Sequence, residues 1–299
     1  MTNRNNKNGA EQILEPYESC NLSEIFLNNI TSSQELYNVA RLLYKTQKAV
    51  TQMKYLFDES TRIINKNARI GIGVTGITQS LDKLEWLDLV YTKLREYDKV
   101  WSKERGWNKS IKITTLKPSG TLSLLAGSSP GIHPAYAPYY IRRMRIASNH
   151  TLVAYAKAHG YEVEYQKNFD GTDDYNTSVI SFPCKVEALY ARDVSAVDQL
   201  ELVKKLQTVW SDSSVSVTVY YRLHELPAIQ AWLQKHFETS IKSVSFLLHN
   251  DHGFIQAPYE EISAAQYDAM NSFVLPLTSF QEFIELDLDE CATGACPIR

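Results

Sequence analysis

The sequence predicts an α/β fold, because short β-branched runs alternate along it with stretches of helical apolar period. Two successive strand-turn-helix units carry that prediction. In the first, residues 69–74 form a short strand, Thr75-Gly76 turns it, and residues 84–101 return to helical spacing. In the second, residues 111–116 form a strand, Pro118-Ser119-Gly120 a tight loop, and residues 122–126 the start of a helix or turn. An apolar content of 44% over 299 residues is enough for a full core, arranged as one large domain or two ordinary ones.

The remaining elements follow in order. Residues 1–9 are polar, rich in asparagine and without periodicity, which predicts a disordered segment. Residues 33–57 place Leu36, Val39, Ala40, Leu42, Leu43, Ala49, Val50, Met53 and Leu56 at helical spacing, which predicts one long amphipathic helix. Residues 179–182 and 215–221 are further strand candidates, with a helical stretch at 197–210 between them.

Charge and composition exclude several function classes. Lys and Arg total 31 against 34 for Asp and Glu, so there is no basic excess for tracking a phosphate backbone, and nucleic acid is not an expected partner. No apolar run approaches the roughly 20 residues that span a bilayer, and the N-terminus has no charged segment followed by an apolar one. Membrane association is therefore not expected. Four cysteines, only two of them close together, do not make a disulfide framework. The chain reads as cytoplasmic, with thiols in catalytic or redox use.

Gly71-Ile72-Gly73-Val74-Thr75-Gly76 matches the dinucleotide fingerprint GxGxxG letter for letter. Its surroundings argue against a nucleotide there, since Lys66, Asn67 and Arg69 crowd the entry and the positions about 20 residues on are helical rather than strand-ending acids. Close packing where a strand passes into its helix is the competing explanation. Lys117-Pro118-Ser119-Gly120-Thr121-Leu122-Ser123 is a stronger anion signal. A glycine-containing loop at a helix start frees backbone N–H groups, and the hydroxyls of Ser119, Thr121 and Ser123 add donors for a phosphate. An ordinary helix cap would have the same spacing. His133, in Gly131-Ile132-His133-Pro134, reads as a packed or hydrogen-bonded histidine. Cys184 reads as structural.

At the C-terminus, Cys291 and Cys296 lie in a segment with a central glycine and no apolar anchor. A mobile thiol pair can enter a site, exchange with a disulfide and leave. Zinc is the competing use, but this spacing supplies two ligands where four are needed. No metal site is expected.

Three segments in this order, Glu11 to Cys20, Lys117 to Ser123 and the Cys291–Cys296 tail, resemble the adenosylcobalamin-dependent (class II) ribonucleoside-triphosphate reductases. The resemblance extends from Ala10 to Arg299 and is densest over residues 116–146, including Tyr139-Tyr140-Ile141-Arg142-Arg143-Met144-Arg145-Ile146. It implies the second half of a ten-stranded α/β barrel, a five-stranded half-barrel with helices, followed by a C-terminal region. It also implies Glu11 as the base on the substrate 3'-hydroxyl, Cys20 as one of two reducing thiols, and Cys291 and Cys296 as the redox tail. Pro118, Ser119, Gly120, Thr121, Leu122 and Ser123 become the substrate phosphate loop.

The family's radical motif reads Asn-x-Cys-x-Glu, and where it has the radical cysteine this chain has Gly9. The resemblance thus implies a C-terminal portion that lacks the radical residue and is inactive without an N-terminal half, which the family uses for its effector site and the second reducing thiol. The alternative is a noncatalytic nucleotide- or cobalamin-binding fragment of an interrupted gene. The implied cofactor is adenosylcobalamin, contacted by residues 166–227 and a stretch near Leu286. The implied partners are a ribonucleoside triphosphate, thioredoxin or a similar dithiol reductant, and a separate N-terminal half. Expected divisions are 1–9 disordered, 10–160 half-barrel with the phosphate loop, 161–285 C-terminal region, and 286–299 mobile tail.

Overall fold

A computed structural model describes residues 14–19, 21–120, 122–249 and 255–277. In chain order the principal elements are β1 (Leu22–Phe26), α1 (Ser33–Val50), α2 (Asp58–Asn67), β2 (Gly71–Thr75), α3 (Leu84–Arg105), α4 (Leu122–Leu125), β3 (Tyr139–Ala147), α5 (Thr151–Ala158), β4 (Glu162–Lys167), β5 (Asp173–Lys185), α6 (Ala196–Val209), β6 (Thr218–Tyr221), α7 (Leu226–Ser240), β7 (Ser245–Leu248), β8 (Tyr259–Glu261) and α8 (Ala264–Phe273). Among the described residues they fall into two compact units, one formed by 14–135 together with 188–249, the other by 136–187 together with 255–277.

The first unit is a parallel α/β layer. β1 pairs in parallel with β2, with Glu24 opposite Gly73 and Ile25 opposite Val74. Ile72 of β2 bridges in parallel to Thr114, Leu116 bridges in parallel to Val215, and β6 pairs in parallel with β7. Five parallel segments therefore lie each beside its successor in the chain, as the half-barrel reading requires. The predicted strands at 111–116 and 215–221 are shorter than expected. The first is present only as bridged positions, and the second becomes continuous strand at Thr218.

Side-chain alternation along these segments separates a helix-packed face from an inner one. Ile25, Ile72, Val74 and Leu116 join a buried cluster with Leu36, Ala40 and Tyr44 of α1, Leu87, Val90 and Leu94 of α3, and Leu200, Val203 and Leu206 of α6. Polar groups at the helix layer are paired. Asp98 accepts from Tyr44 Oη at 2.6 Å, Lys48 Nζ at 3.1 Å and Ser102 Oγ at 3.0 Å, so the burial of Lys48 is matched by a counter-charge.

The predicted helix over 33–57 stops at Val50. Thr51 turns its hydroxyl back to the Lys48 carbonyl at 2.7 Å, and Asn65 Nδ2 takes the Thr51 carbonyl at 2.5 Å. The chain then crosses to α2. Met53 and Leu56, which extend the apolar period, are exposed. Helices α3 and α6 lie close to their predicted spans.

The second unit is an antiparallel sheet in the order β4-β5-β3-β8. β3 pairs with β5 along its whole length, from Tyr139 opposite Lys185 to Ala147 opposite Thr177. This pairing accounts for a departure from the expected division at 160/161. Residues 136–160 build the antiparallel sheet rather than the parallel layer, and residues 188–249, assigned to the C-terminal region, complete the parallel layer. Residues 1–9 and 286–299 lie outside the described residues. Among the described residues no helix is long and apolar enough to cross a membrane, and no group of three His, Cys, Asp or Glu side chains could hold a metal ion.

Candidate functional site

The carboxyl ends of β1, β2 and the segment ending at Leu116 converge, which in parallel α/β sheets is where ligands bind. The loop from Lys117 leaves the third segment there. A second loop, 126–131, clamps it from the side. Thr75 at the end of β2 donates its hydroxyl to the Ser129 carbonyl at 2.9 Å and accepts from the Gly131 N–H at 2.6 Å. Ser128 Oγ donates to Asn28 Oδ1 at 2.5 Å, and Gln79 Oε1 accepts from the Ser129 N–H at 2.7 Å. Gly131 sits at φ +57°, and a Cβ there would lie 2.4 Å from the Lys117 carbonyl oxygen. Only glycine allows the two loops to touch this closely.

Within the loop predicted to bind an anion, Ser119 and Ser123 are buried, and Leu122 is exposed. Ser123 donates both its hydroxyl and its N–H, the latter at 3.3 Å, to the Ser119 carbonyl. Its side chain therefore closes the turn in this conformation, and its hydroxyl proton does not point outward. At Gly120 a Cβ would meet nothing within 4 Å, so the approach to the loop backbone is open. Thr121 lies outside the described residues, as do Glu11, Cys20, Cys291 and Cys296.

His133 is fixed in one tautomer. Nε2 accepts from the Thr218 N–H at 3.0 Å, so Nδ1 carries the proton and donates to the Pro130 carbonyl at 3.1 Å. Burial holds its pKa below the usual value, and a neutral, fully bonded ring braces the loop. Beside it lies a cavity of about 350 Å³ walled by Ile132, Pro134, Leu189, Leu202 and Val217, with Lys205 and Glu201 among its polar residues.

The glycine fingerprint does not form a dinucleotide site. Gly76, at φ +74°, leads into 3-10 turns, and α3 begins only at Leu84, so no long helix N-terminus opens at the glycines. Gly73 instead makes room for Glu24: a Cβ there would lie 2.4 Å from Glu24 Oε2. The Glu24 side chain is 2% exposed, and neither of its carboxylate oxygens has a hydrogen-bond partner among the described residues. Lys117 Nζ stands 3.8 Å away. Burial pushes the Glu24 carboxyl up to about 7, against the lowering effect of Lys117. Sequence reasoning passed over Glu24. The available signal was an acidic residue in an otherwise strand-like run, next to the apolar Ile25.

Cys184, half-buried on β5, has its thiol pushed up by burial, in keeping with a structural thiol.

A family model described as "Ribonucleotide reductase, barrel domain" matches residues 92–247, more than half of the chain. A Dictyostelium discoideum protein named probable adenosylcobalamin-dependent ribonucleoside-triphosphate reductase is 32% identical over 305 residues, covering 96% of this chain and 39% of its own. The Lactobacillus leichmannii adenosylcobalamin-dependent ribonucleoside-triphosphate reductase is 32% identical over 331 residues, covering 94% of this chain and 44% of its own. The Euglena gracilis protein of the same name is 34% identical over 275 residues, with 86% and 36% covered. Among solved structures, the crystal structure of a B-12 dependent (class II) ribonucleotide reductase superposes with a TM-score of 0.72 at 29% identity, covering 87% of this chain and 41% of that one. The chain thus spans less than half the length of these relatives.

Proposed function

The chain belongs to the ribonucleotide reductase barrel-domain family, and on that premise we propose that it supplies one half of the catalytic barrel of an adenosylcobalamin-dependent ribonucleoside-triphosphate reductase, which converts ribonucleoside triphosphates to 2'-deoxyribonucleoside triphosphates. The observation that carries this reading is the set of parallel segments, in chain order, with the Lys117–Ser123 loop at their carboxyl ends.

Removing a ribose 2'-hydroxyl needs a radical at C3', a base on the 3'-hydroxyl, and two thiols that give up two electrons and become a disulfide. Glu11 is the base, which requires a carboxylate within hydrogen-bond reach of the 3'-hydroxyl. Cys20 is one of the reducing thiols. The loop from Pro118 to Ser123 holds the triphosphate through backbone N–H groups and the hydroxyls of Ser119 and Thr121, with Gly131 packed against the carbonyl of Lys117. Gly9 stands where the family has its radical cysteine, so the thiyl and the second reducing thiol come from a barrel segment outside this sequence, in the same or another polypeptide. Cys291 and Cys296 return electrons from thioredoxin or a similar dithiol protein to the disulfide formed at Cys20.

Of the stretch 166–227 that the resemblance gives to the cofactor, the β4–β5 hairpin exposes Phe169 and Tyr175, with Tyr165 partly exposed beside them. Flat apolar side chains of this kind suit the face of a corrin ring. When bound, adenosylcobalamin supplies the initiating radical by homolysis of its cobalt–carbon bond.

The test is reconstitution. This chain with adenosylcobalamin, a ribonucleoside triphosphate and a small dithiol should form no deoxynucleotide, and adding a polypeptide that carries the remaining barrel half with its radical cysteine should start turnover. Turnover by this chain alone would overturn the reading of Gly9. Failure with every complementing half would favour a noncatalytic binding role.

A further inference from the structure

Glu24 is a buried acid that the chemistry above does not use. Its side chain is 2% exposed, both carboxylate oxygens lack a hydrogen-bond partner among the described residues, and it lies on the face of β1 opposite the core residue Ile25. A carboxylate left in this state is costly unless something offsets it. β2 contributes only Gly73, which has no side chain to cover the acid. Just beyond the third parallel segment stands Lys117, whose ammonium reaches across Gly73 to 3.8 Å, and among the described residues it is the charged group that acts on Glu24. That distance is an ion pair but too long for a hydrogen bond.

Lys117 is also the first residue of the anion loop. Its side chain is 27% exposed, so it has access to solvent, and it leaves the backbone two residues before Ser119. An anion bound at Ser119 and Gly120 would compete with Glu24 for the Lys117 ammonium. A triphosphate carries several charges and can hydrogen-bond the ammonium directly, whereas Glu24 holds it at ion-pair distance alone. Once the ammonium turns to the anion, Glu24 is a buried, unpaired carboxylate, a state that proteins avoid by neutralisation.

We propose that Glu24 and Lys117 couple anion binding to proton uptake: Glu24 positions Lys117 beside the empty loop, and when a phosphate anion takes the Lys117 ammonium, Glu24 binds one proton from solvent. This deepens the phosphate-loop reading above and rests on it. The balance is simple: one ion pair is exchanged for another and one solvent proton enters, so the Glu24–Lys117 pair gains one positive charge, which offsets one negative charge of the anion. The carboxyl, already pushed up to about 7, needs only the loss of its cation to be protonated near neutral pH.

The experiment is difference infrared spectroscopy of the full chain at pH 8 with inorganic triphosphate as probe. Binding is measured in parallel by calorimetry, and ¹³C-glutamate labelling assigns the band. With a carboxyl near 7, roughly a tenth is protonated at pH 8 before the anion is added. Triphosphate should produce a protonated-carboxyl band that shifts with the label and is missing in Glu24→Gln. In Lys117→Met the same band should be present with no anion at all, a readout that a purely structural role for Lys117 does not predict. Triphosphate binding without a new carboxyl band overturns the coupling and leaves the loop reading intact. A Lys117→Met chain with no band before the anion is added also overturns it. Absence of triphosphate binding by the folded parent chain overturns both readings.

Discussion

The Glu24 carboxylate occupies the space that a side chain at Gly73 would need, its Oε2 lying 2.4 Å from where a Cβ would stand, and Lys117 reaches over that same glycine to within 3.8 Å of the acid. An acid on β1, a glycine on β2 and a lysine just beyond the third parallel segment thus make a charged pair on the inner face.

The pair has a consequence for stability. In the folded chain the Glu24 carboxyl is raised from 4.5 to about 7, so between those values the folded state binds more protons than the unfolded one, and stability falls as pH rises through that window. Above pH 7 the full penalty applies, on the order of 3 kcal/mol for a shift of this size. Glu24→Gln should therefore raise the unfolding free energy at pH 8, and the gain should vanish below about pH 4.5. Denaturant titrations of both chains at pH 8 and pH 4.5 check this. A Glu24→Gln chain less stable than the parent at pH 8 would contradict it.

Three glycines should rank in a definite order. Gly131→Ala forces a left-handed φ of +57° on a residue with a Cβ and drives that Cβ against the Lys117 carbonyl, so a loss of about 2–4 kcal/mol is expected. Gly73→Ala meets only the end of a flexible side chain, and Glu24 can shift, so the loss should be about 1 kcal/mol. Gly120→Val has open space around it and should alter stability by no more than about 0.5 kcal/mol. If the loop cradles phosphate, however, the added side chain obstructs the ligand, and triphosphate affinity should drop about tenfold or more. Melting curves set beside calorimetric titrations separate the two effects. Equal affinity in Gly120→Val and the parent would remove the loop from phosphate binding.

The tail gives a kinetic prediction. In the reconstituted enzyme, Cys291→Ser with Cys296→Ser should leave a single turnover intact, stop repeated turnover driven by thioredoxin, and restore it with a small dithiol that reaches the site directly. Quench-flow and steady-state assays distinguish these regimes. Undiminished steady-state turnover with thioredoxin in the double variant would end the shuttle reading.

Much of the parallel layer was legible because its strands and helices carry strong local signals. The apolar period of α3 and α6 and the β-branched run before Gly76 each specify their element without help from distant residues. The antiparallel sheet was not. β3 carries three arginines, Arg142, Arg143 and Arg145, and β4 is polar and mostly exposed with only Val163 and Gln166 half-buried, so neither has a distinct apolar face, and the place of β3 in the sheet is fixed by pairing with β5, which follows only after α5 and β4. The end of α1 was hidden for a related reason: Met53 and Leu56 keep the helical period, yet the Thr51 hydroxyl and Asn65 close the helix earlier. At the site, the anion loop stood out through Gly120 and its hydroxyl residues. Glu24 did not, since an acid in a strand reads as solvent-facing until the glycine opposite it and the lysine beyond are placed in register.

Whether this chain brings the base of ribose reduction to the barrel is read from deoxynucleotide formation by the reconstituted enzyme when Glu11 is replaced by Gln. With adenosylcobalamin, ribonucleoside triphosphate and a small dithiol present, Glu11→Gln should retain triphosphate binding and lose turnover if Glu11 is, as proposed, the group that takes the 3'-hydroxyl proton. Turnover at the parent rate in Glu11→Gln would contradict the account.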